Sequence, residues 1–372
     1  MEAMKLMTRD SRWSPARPGS ARPVTHAAGM SLALVAALLI GRDTAAAQSR
    51  DTWTLPRTAD GRPDLHGNWK NATITPIERP EGMGLVLTPQ EVADVEGRRN
   101  ALIAFLSRPS DPDRPPPPVG GFTIGEARFD AASGGTGGYN YFYIDGGDEV
   151  AVFRGEPRSS LISRPASGRV PALTQQGRQR LARARAAREQ FGEYDNPENR
   201  PLSERCILSF GSNAGPPMLP NYFYNNNYTI VQTRDHILIM TEMVHDTRII
   251  RMGDGPRLPS HIRPYMGDSW GRWEGDTLVV ETTNIHPVQA AIFYGASENL
   301  RVVERLTRYD ETTINYEFTI HDPDTFTEPW GGEVPFKRLD ELVYEYACHE
   351  ANHALSNVLS GARAQERGRD SK

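Results

Sequence analysis

Between Tyr228 and His321 the chain writes seven short runs rich in β-branched and aromatic residues, one after another. They are Tyr228–Thr233, Ile237–Val244, Thr247–Met252, Gly271–Glu274, Thr277–Asn284, Leu300–Tyr309 and Ile314–His321. Two-residue breaks separate several of them. Gly275-Asp276 has Gly at the first central position, as a type II′ hairpin requires, and Arg234-Asp235 and Asp310-Glu311 make similar breaks. Consecutive short strands of this kind predict a closed or nearly closed antiparallel sheet. The fold class read from the sequence is mainly β: a lipocalin-like antiparallel up-and-down β-barrel wrapped by an N-terminal segment with two helices.

The wrapping segment has a different texture. Thr88-Pro89-Gln90-Glu91 is a capping box with Pro at the first helical position, predicting a helix to about Leu106. A proline-dense break follows from Pro109 to Pro118 and on to Gly120-Gly121, and Thr174 caps a second helix over about Gln175–Phe191. Its arginines, from Arg178 to Arg188, read as a solvated face. Tyr139–Ile144 and Ser160–Ser163 read as short strand-like pieces. No internal repeat is present.

Met30–Ile40 is an apolar run too short to span a bilayer, preceded by five basic residues and followed by Ala45-Ala46-Ala47. It reads as a secretory signal peptide cleaved after Ala47, with the alternative of an uncleaved anchor, and it predicts a periplasmic or secreted protein. The expected organisation is signal 1–47, wrapping segment 48–205, barrel 206–363 and a disordered tail 364–372. Removing six of 42 basic and three of 47 acidic residues leaves 36 and 44, a net charge of −8. Such an acidic chain offers no electrostatic footing for nucleic acid or anionic membranes. Cys206 and Cys348 are the only cysteines. In an oxidising compartment they are expected to pair, closing a loop around the strand meander; two buried free thiols are the alternative.

Strand alternation locates candidate chemistry. In Leu300–Tyr309 one face presents Leu300, Val302, Glu304 and Leu306, so Glu304 points into an apolar interior. Buried unpaired, its carboxyl would be prepared as a general acid or base; otherwise it forms an ion pair with an interior Arg248 or Arg272. The same alternation puts Tyr316 inside. Glu242, His245, Asp246 and Arg248 cluster where one strand ends and the next begins, and a His beside a carboxylate is the smallest unit of proton transfer. Alternation sets Glu242 and His245 on opposite faces unless a bulge intervenes, and a plain polar turn accounts for the cluster equally well. Asp268, Trp270 and Trp273 lie just before the tight turn, where tryptophan rings either stack on an aromatic ligand or simply pack.

His349-Glu350-Ala351-Asn352-His353 matches the zincin pattern H-E-x-x-H. The expected context is wrong, because the motif follows directly on a strand predicted over Leu342–Cys348, with 19 residues remaining and no third ligand at a standard spacing. No metal and no cofactor are expected; His349 and Glu350 are expected to line the barrel end.

The run from Gly267-Asp268-Ser269-Trp270-Gly271-Arg272-Trp273-Glu274 through Gly275-Asp276-Thr277-Leu278-Val279-Val280 to Glu281-Thr282-Thr283-Asn284 carries a resemblance. Together with Glu242-Met243-Val244-His245-Asp246, Arg205-Cys206 and Tyr346-Ala347-Cys348-His349-Glu350, it resembles a large family of exported, mostly uncharacterised bacterial proteins over about Pro56–Arg363. The resemblance implies a shared pocket around the Glu-Met-Val-His-Asp, Gly-Asp-Ser-x-Gly-Arg-Trp and Cys-His-Glu segments. In that family the position of His353 is often Tyr.

The sequence thus predicts an exported barrel enzyme of lyase or isomerase type. It would perform acid/base chemistry on a small apolar or aromatic molecule, with His245, Asp246, Glu304, Glu242 and His349 as catalytic groups and Arg248, Asp268, Trp270, Trp273 and Tyr316 contacting the substrate. Phosphate loops, nucleotide fingerprints and serine nucleophile elbows are absent from it. The alternative is a non-catalytic carrier of an apolar ligand.

Overall fold

Nine strands close into a ring. The computed structural model describes residues 53–106, 113, 145–209, 215–221, 225–291 and 294–370. The signal segment, the piece Tyr139–Ile144 and, Asp113 excepted, the proline-rich break lie outside the described residues. In chain order the strands are β1 (Gly67–Lys70), β2 (Val152–Phe153), β3 (Glu156–Pro157), β4 (Ile162–Arg164), β5 (Asn227–Gln232), β6 (His236–Thr241), β7 (Thr247–Met252), β8 (Asp268–Glu274), β9 (Thr277–Thr283), β10 (Arg301–Arg308), β11 (Thr313–His321) and β12 (Trp330–Leu339). The helices are α1 (Pro89–Leu106), α2 (Gln175–Gln190), the single turn α3 (Pro287–Ala290) and α4 (Ala354–Asp370).

The ring runs β1-β5-β6-β7-β8-β9-β10-β11-β12 and returns to β1, with β4 added beside β12. Eight of its nine contacts are antiparallel and one, β7 to β8, is parallel. The parallel contact is a geometric necessity: a closed ring of an odd number of strands cannot alternate direction all the way round. The barrel is therefore closed as expected, but it departs from up-and-down order at one place, where the chain must travel back along the outside from Met252 to Asp268.

Two staves come from unpredicted segments. β1 belongs to the N-terminal segment, so that segment completes the barrel as well as wrapping it, and Leu55–Lys372 is one compact unit. β12 contains Gly331-Gly332 and Pro335, residue types disfavoured inside a strand. β4 pairs with Gly331 and Gly332 and β1 with Lys337 to Leu339, so Pro335 falls in the gap between them, where that side of the strand has no ladder partner for an N–H to serve. Leu342–Cys348 is not a strand; its Leu342 and Tyr344 are exposed. The tail from 364 to 370 is helical, the end of α4, rather than disordered.

Local signals are confirmed in detail. Thr88 and Glu91 exchange the two hydrogen bonds of the capping box, at 2.7 and 3.3 Å, and Thr174 Oγ1 accepts from Gly177 N at 3.0 Å at the start of α2. Gly275 has φ 59°, as its hairpin demands. The arginine face of α2 is not wholly solvated, because Arg180 donates to Gly295 O at 3.3 Å and bonds Thr325, tying the helix to the loops above the barrel.

The core fills the ring. Tyr228 stacks on Phe336 with ring centroids 5.0 Å apart, Tyr316 lies 5.3 Å from Phe336, and Phe318 meets Trp330 edge-on. Met218 and Leu219, in the segment Gly215–Asn221, are fully buried and plug the end of the barrel where β5 begins and β6 ends. We call that end the mouth.

Candidate functional site

The interior holds a closed polar network. Arg248, on β7, faces inward opposite Ile239 of β6 and donates both Nη groups to Glu304 of β10, at 2.5 and 2.9 Å. The Tyr316 hydroxyl donates to Glu304 Oε1 at 2.8 Å and accepts from Met218 N at 2.9 Å. Glu304, Tyr316 and Arg248 are all buried. Glu304 therefore takes the ion-pair alternative, with Arg248 as partner; Arg272 lies outside and pairs with Glu274 at 2.7 Å. Burial works against the Arg248 charge, but Glu304 more than offsets it and the guanidinium pKa is raised. Burial and the neighbouring Glu304 charge raise the Tyr316 hydroxyl well above the usual phenol range, so it stays a donor.

Directly above this network lies the turn between β6 and β7. β6 stops at Thr241, three residues short of the expected end, and the chain turns through Met243–His245. Val244 and His245 both have left-handed backbone, φ 61° and 47°. Two successive residues without a glycine rarely adopt that conformation, least of all a β-branched one, and such strain collects at functional sites. The burial of Met243 and Val244 holds the turn in place. His245 is consequently exposed at the rim. Asp246 is half-buried; its main-chain O accepts from Thr241 N at 2.7 Å, and its carboxylate accepts from Ser209 N at 3.2 Å. Burial pushes the Asp246 carboxyl up to about 6, against the lowering effect of the Ser209 bond and the His245 charge. With extended backbone at Asp246, alternation puts it on the same side of the strand as Arg248, two residues on. Glu242 is instead engaged sideways, accepting from Asn227 Nδ2 at 2.8 Å.

The remaining expected site residues lie elsewhere. Asp268 is buried but faces the crossover: its carboxylate accepts from Leu258 N at 2.7 Å and pairs with Arg251. The Arg251 guanidinium sits 4.4 Å from the centre of the Trp270 ring, and a Cβ on Gly255 would collide with that ring. Asn284 Nδ2 donates to Leu258 O at 2.8 Å. The long motif from Gly267 to Asn284 thus builds the β8–β9 hairpin and pins the crossover that the odd-numbered ring requires. Trp273 packs against the core.

His349, Glu350 and His353 are exposed in a turn in which Ala351 has φ 54°, and α4 begins only at Ala354. The two histidines are therefore not one helical turn apart. His349 does not line the barrel interior; its neighbour Cys348 is bonded to Cys206. Asn352 Nδ2 donates to Glu204 O at 3.4 Å, which packs this turn onto the 204–206 loop. Through that loop and Ser209, the Cys-His-Glu segment comes close behind the Asp246 turn.

Residues that the sequence did not single out complete the mouth. Asn71 Nδ2 donates to the Tyr228 hydroxyl at 3.2 Å and to Met218 O at 3.3 Å. Thr241 pairs with Tyr228 across β5 and β6. Both are buried, as is Tyr228, whose hydroxyl burial holds above the usual phenol range. The period-two pattern of β5 and β6 carried a signal for Tyr228 and Thr241; nothing marked Asn71 or Ser209. Elsewhere, a cleft of about 600 Å³ lies over the outer ends of β9 to β11, between Arg263, Arg301 and His321, and contains none of the expected site residues.

No protein-family model and no curated protein matches the sequence. A mutant of the fluorescent protein UnaG is similar in part: it is 14% identical, with a TM-score of 0.21, over 37% of this chain and 86% of that one. At that score the likeness carries no argument, and the barrel assignment rests on the strand pairing itself.

Proposed function

We propose that this protein is an exported barrel enzyme that moves a proton on a small apolar or aromatic molecule held at the mouth, with Asp246 as the acid/base group. The supporting observation is the strained turn Glu242–Asp246, which sets a half-buried carboxylate at the head of the barrel. A carboxyl with a pKa of about 6 is divided between its two forms near neutral pH, which suits a group that must both take and return a proton. Ionised Asp246 removes a proton from carbon, and the resulting acid returns it elsewhere on the substrate, an isomerisation, or to a departing hydroxyl, an elimination. Glu304, closed in its ion pair, positions Arg248 and Tyr316 rather than reacting. The disulfide Cys206–Cys348 supports export to an oxidising compartment, and no described helix is long and apolar enough to cross a membrane.

The alternative is a non-catalytic carrier that holds an apolar ligand at the same mouth. The test is a turnover screen of small aromatic and alicyclic compounds that carry an acidic C–H or a β-leaving group. Wild type should convert at least one class, and Asp246→Asn should lower that rate by about 100-fold with no loss of melting temperature. Saturable binding of such compounds without conversion of any would put the carrier reading in front.

A further inference from the structure

Four buried polar atoms at the mouth have no hydrogen-bond partner among the described residues: Asn227 Oδ1, next in sequence to Tyr228 and so on the opposite face of β5, and Arg248 Nε, Asn71 Oδ1 and Thr241 Oγ1, the three considered next. The residues of these three are at most 2% exposed. Buried polar groups are nearly always satisfied, because leaving one bare costs about 1 to 3 kcal/mol, so three together call for an occupant. They belong to one neighbourhood. Thr241 is paired with Tyr228, Asn71 is bonded to the Tyr228 hydroxyl, and Arg248 lies opposite Ile239, two residues along β6 from Thr241. Asp246 stands over them, its main-chain O bonded to Thr241 N.

The set has a chemical signature. Arg248 Nε–H can only donate, Asn71 Oδ1 can only accept, and the Thr241 hydroxyl does either. A single group that meets all three must accept and donate at once. A hydroxyl does this; a carbonyl or carboxylate oxygen does not. Charge points the same way, because Glu304 already neutralises Arg248 through two hydrogen bonds, leaving no spare positive charge for an anion. Rings of Tyr228, Tyr316 and Phe336 supply an apolar, aromatic wall alongside.

We infer that the mouth seats the hydroxyl group of a neutral alcohol or phenol between Arg248, Asn71 and Thr241, beneath Asp246. This rests on the reading of the mouth as the reacting centre and names the substrate class for it: the hydroxyl anchors the molecule while Asp246 acts on a carbon nearby.

The test is binding of phenol to the intact oxidised protein, measured by calorimetry and by movement of the Thr241 and Asp246 amide resonances, with toluene and benzoate as controls. Phenol should bind about 10-fold more tightly than either control, one hydrogen-bonding group's worth of discrimination. Thr241→Val, which keeps the shape and removes the hydroxyl, should erase most of that preference and leave toluene binding unchanged. Asp246→Asn should leave phenol binding in place, so a protein that seats phenol but converts no hydroxyl compound would overturn the catalytic reading alone. Equal affinity for phenol and toluene, phenol binding that does not move those amides, or a Thr241→Val preference equal to wild type would each overturn the hydroxyl seat, even if Asp246-dependent turnover of a carbonyl compound were found.

Discussion

β10 and the turn before β7 carry two carboxylates with opposite characters. Glu304 is deep, fully buried and held by Arg248 and Tyr316, so every lone pair that matters is spoken for. Asp246 is at the rim, half-buried, its carboxylate accepting from the main-chain N–H of Ser209 and its pKa lifted to about 6. Burial is greater for Glu304, yet Asp246 is the group left ready to change its charge. Depth alone does not prepare a carboxylate for chemistry; what differs here is that Glu304 is held by two bonds from Arg248, whereas burial outweighs the effects of Ser209 and His245 on Asp246.

The largest effect should come from breaking the deep pair. Glu304→Gln leaves Arg248 charged and uncompensated in an apolar interior, and unfolding in denaturant should show a loss of about 3 to 5 kcal/mol. Replacing both partners, Arg248→Met with Glu304→Leu, should recover most of that. A single variant as stable as wild type would mean that the pair is not closed.

Reduction of Cys206–Cys348 comes next. The bond closes a loop across a sequence separation of 142, so reduction should lower stability by about 2 to 5 kcal/mol. It should also loosen the 203–209 loop that delivers Ser209 to Asp246, so the Asp246 titration should shift on reduction while the Arg248–Glu304 pair stays intact. Two thiols titrating in the denatured, unreduced protein would contradict the premise.

A part of this contrast was legible in the sequence, and the rest shows where period-two reading fails. Alternation put Glu304 and Tyr316 inside correctly, because β10 and β11 are long and regular. It carried β6 on through Val244, because an apolar β-branched residue there looks like one more strand position, while the backbone turns left-handed. β1 was invisible, since four residues between irregular stretches show no period. Gly331-Gly332 and Pro335 hid β12, although close backbone approach and a gap in the ladder are what those residues serve. The eighteen-residue motif looked like a site and is mainly the fastening of a parallel crossover, a demand set by strand count that no local pattern reveals.

Asp246 gives a smaller, pH-dependent effect. Its folded pKa is above the ordinary carboxylate value of about 3.9, so between about pH 4 and 6 the folded state holds the proton more tightly than the unfolded chain does. Stability attributable to this group therefore falls as pH rises through that window and levels off above it, by on the order of 2 kcal/mol. Asp246→Asn should flatten this part of the pH–stability curve and melt higher than wild type at pH 7. A variant curve parallel to wild type would assign the titration elsewhere.

The smallest effect separates strain from chemistry. His245 is exposed with φ 47°, so His245→Gly relieves the left-handed backbone at little packing cost and should stabilise by about 1 kcal/mol. The deep pair should not respond.

Most direct is the titration of Asp246 itself, followed through its side-chain carboxyl carbon in the oxidised protein. A midpoint near 6, matched by the acidic limb of kcat/KM for the substrate the screen identifies, is the result expected of a proton carrier at the mouth. A midpoint near 4, with the rate indifferent to pH between 4 and 7, would contradict it.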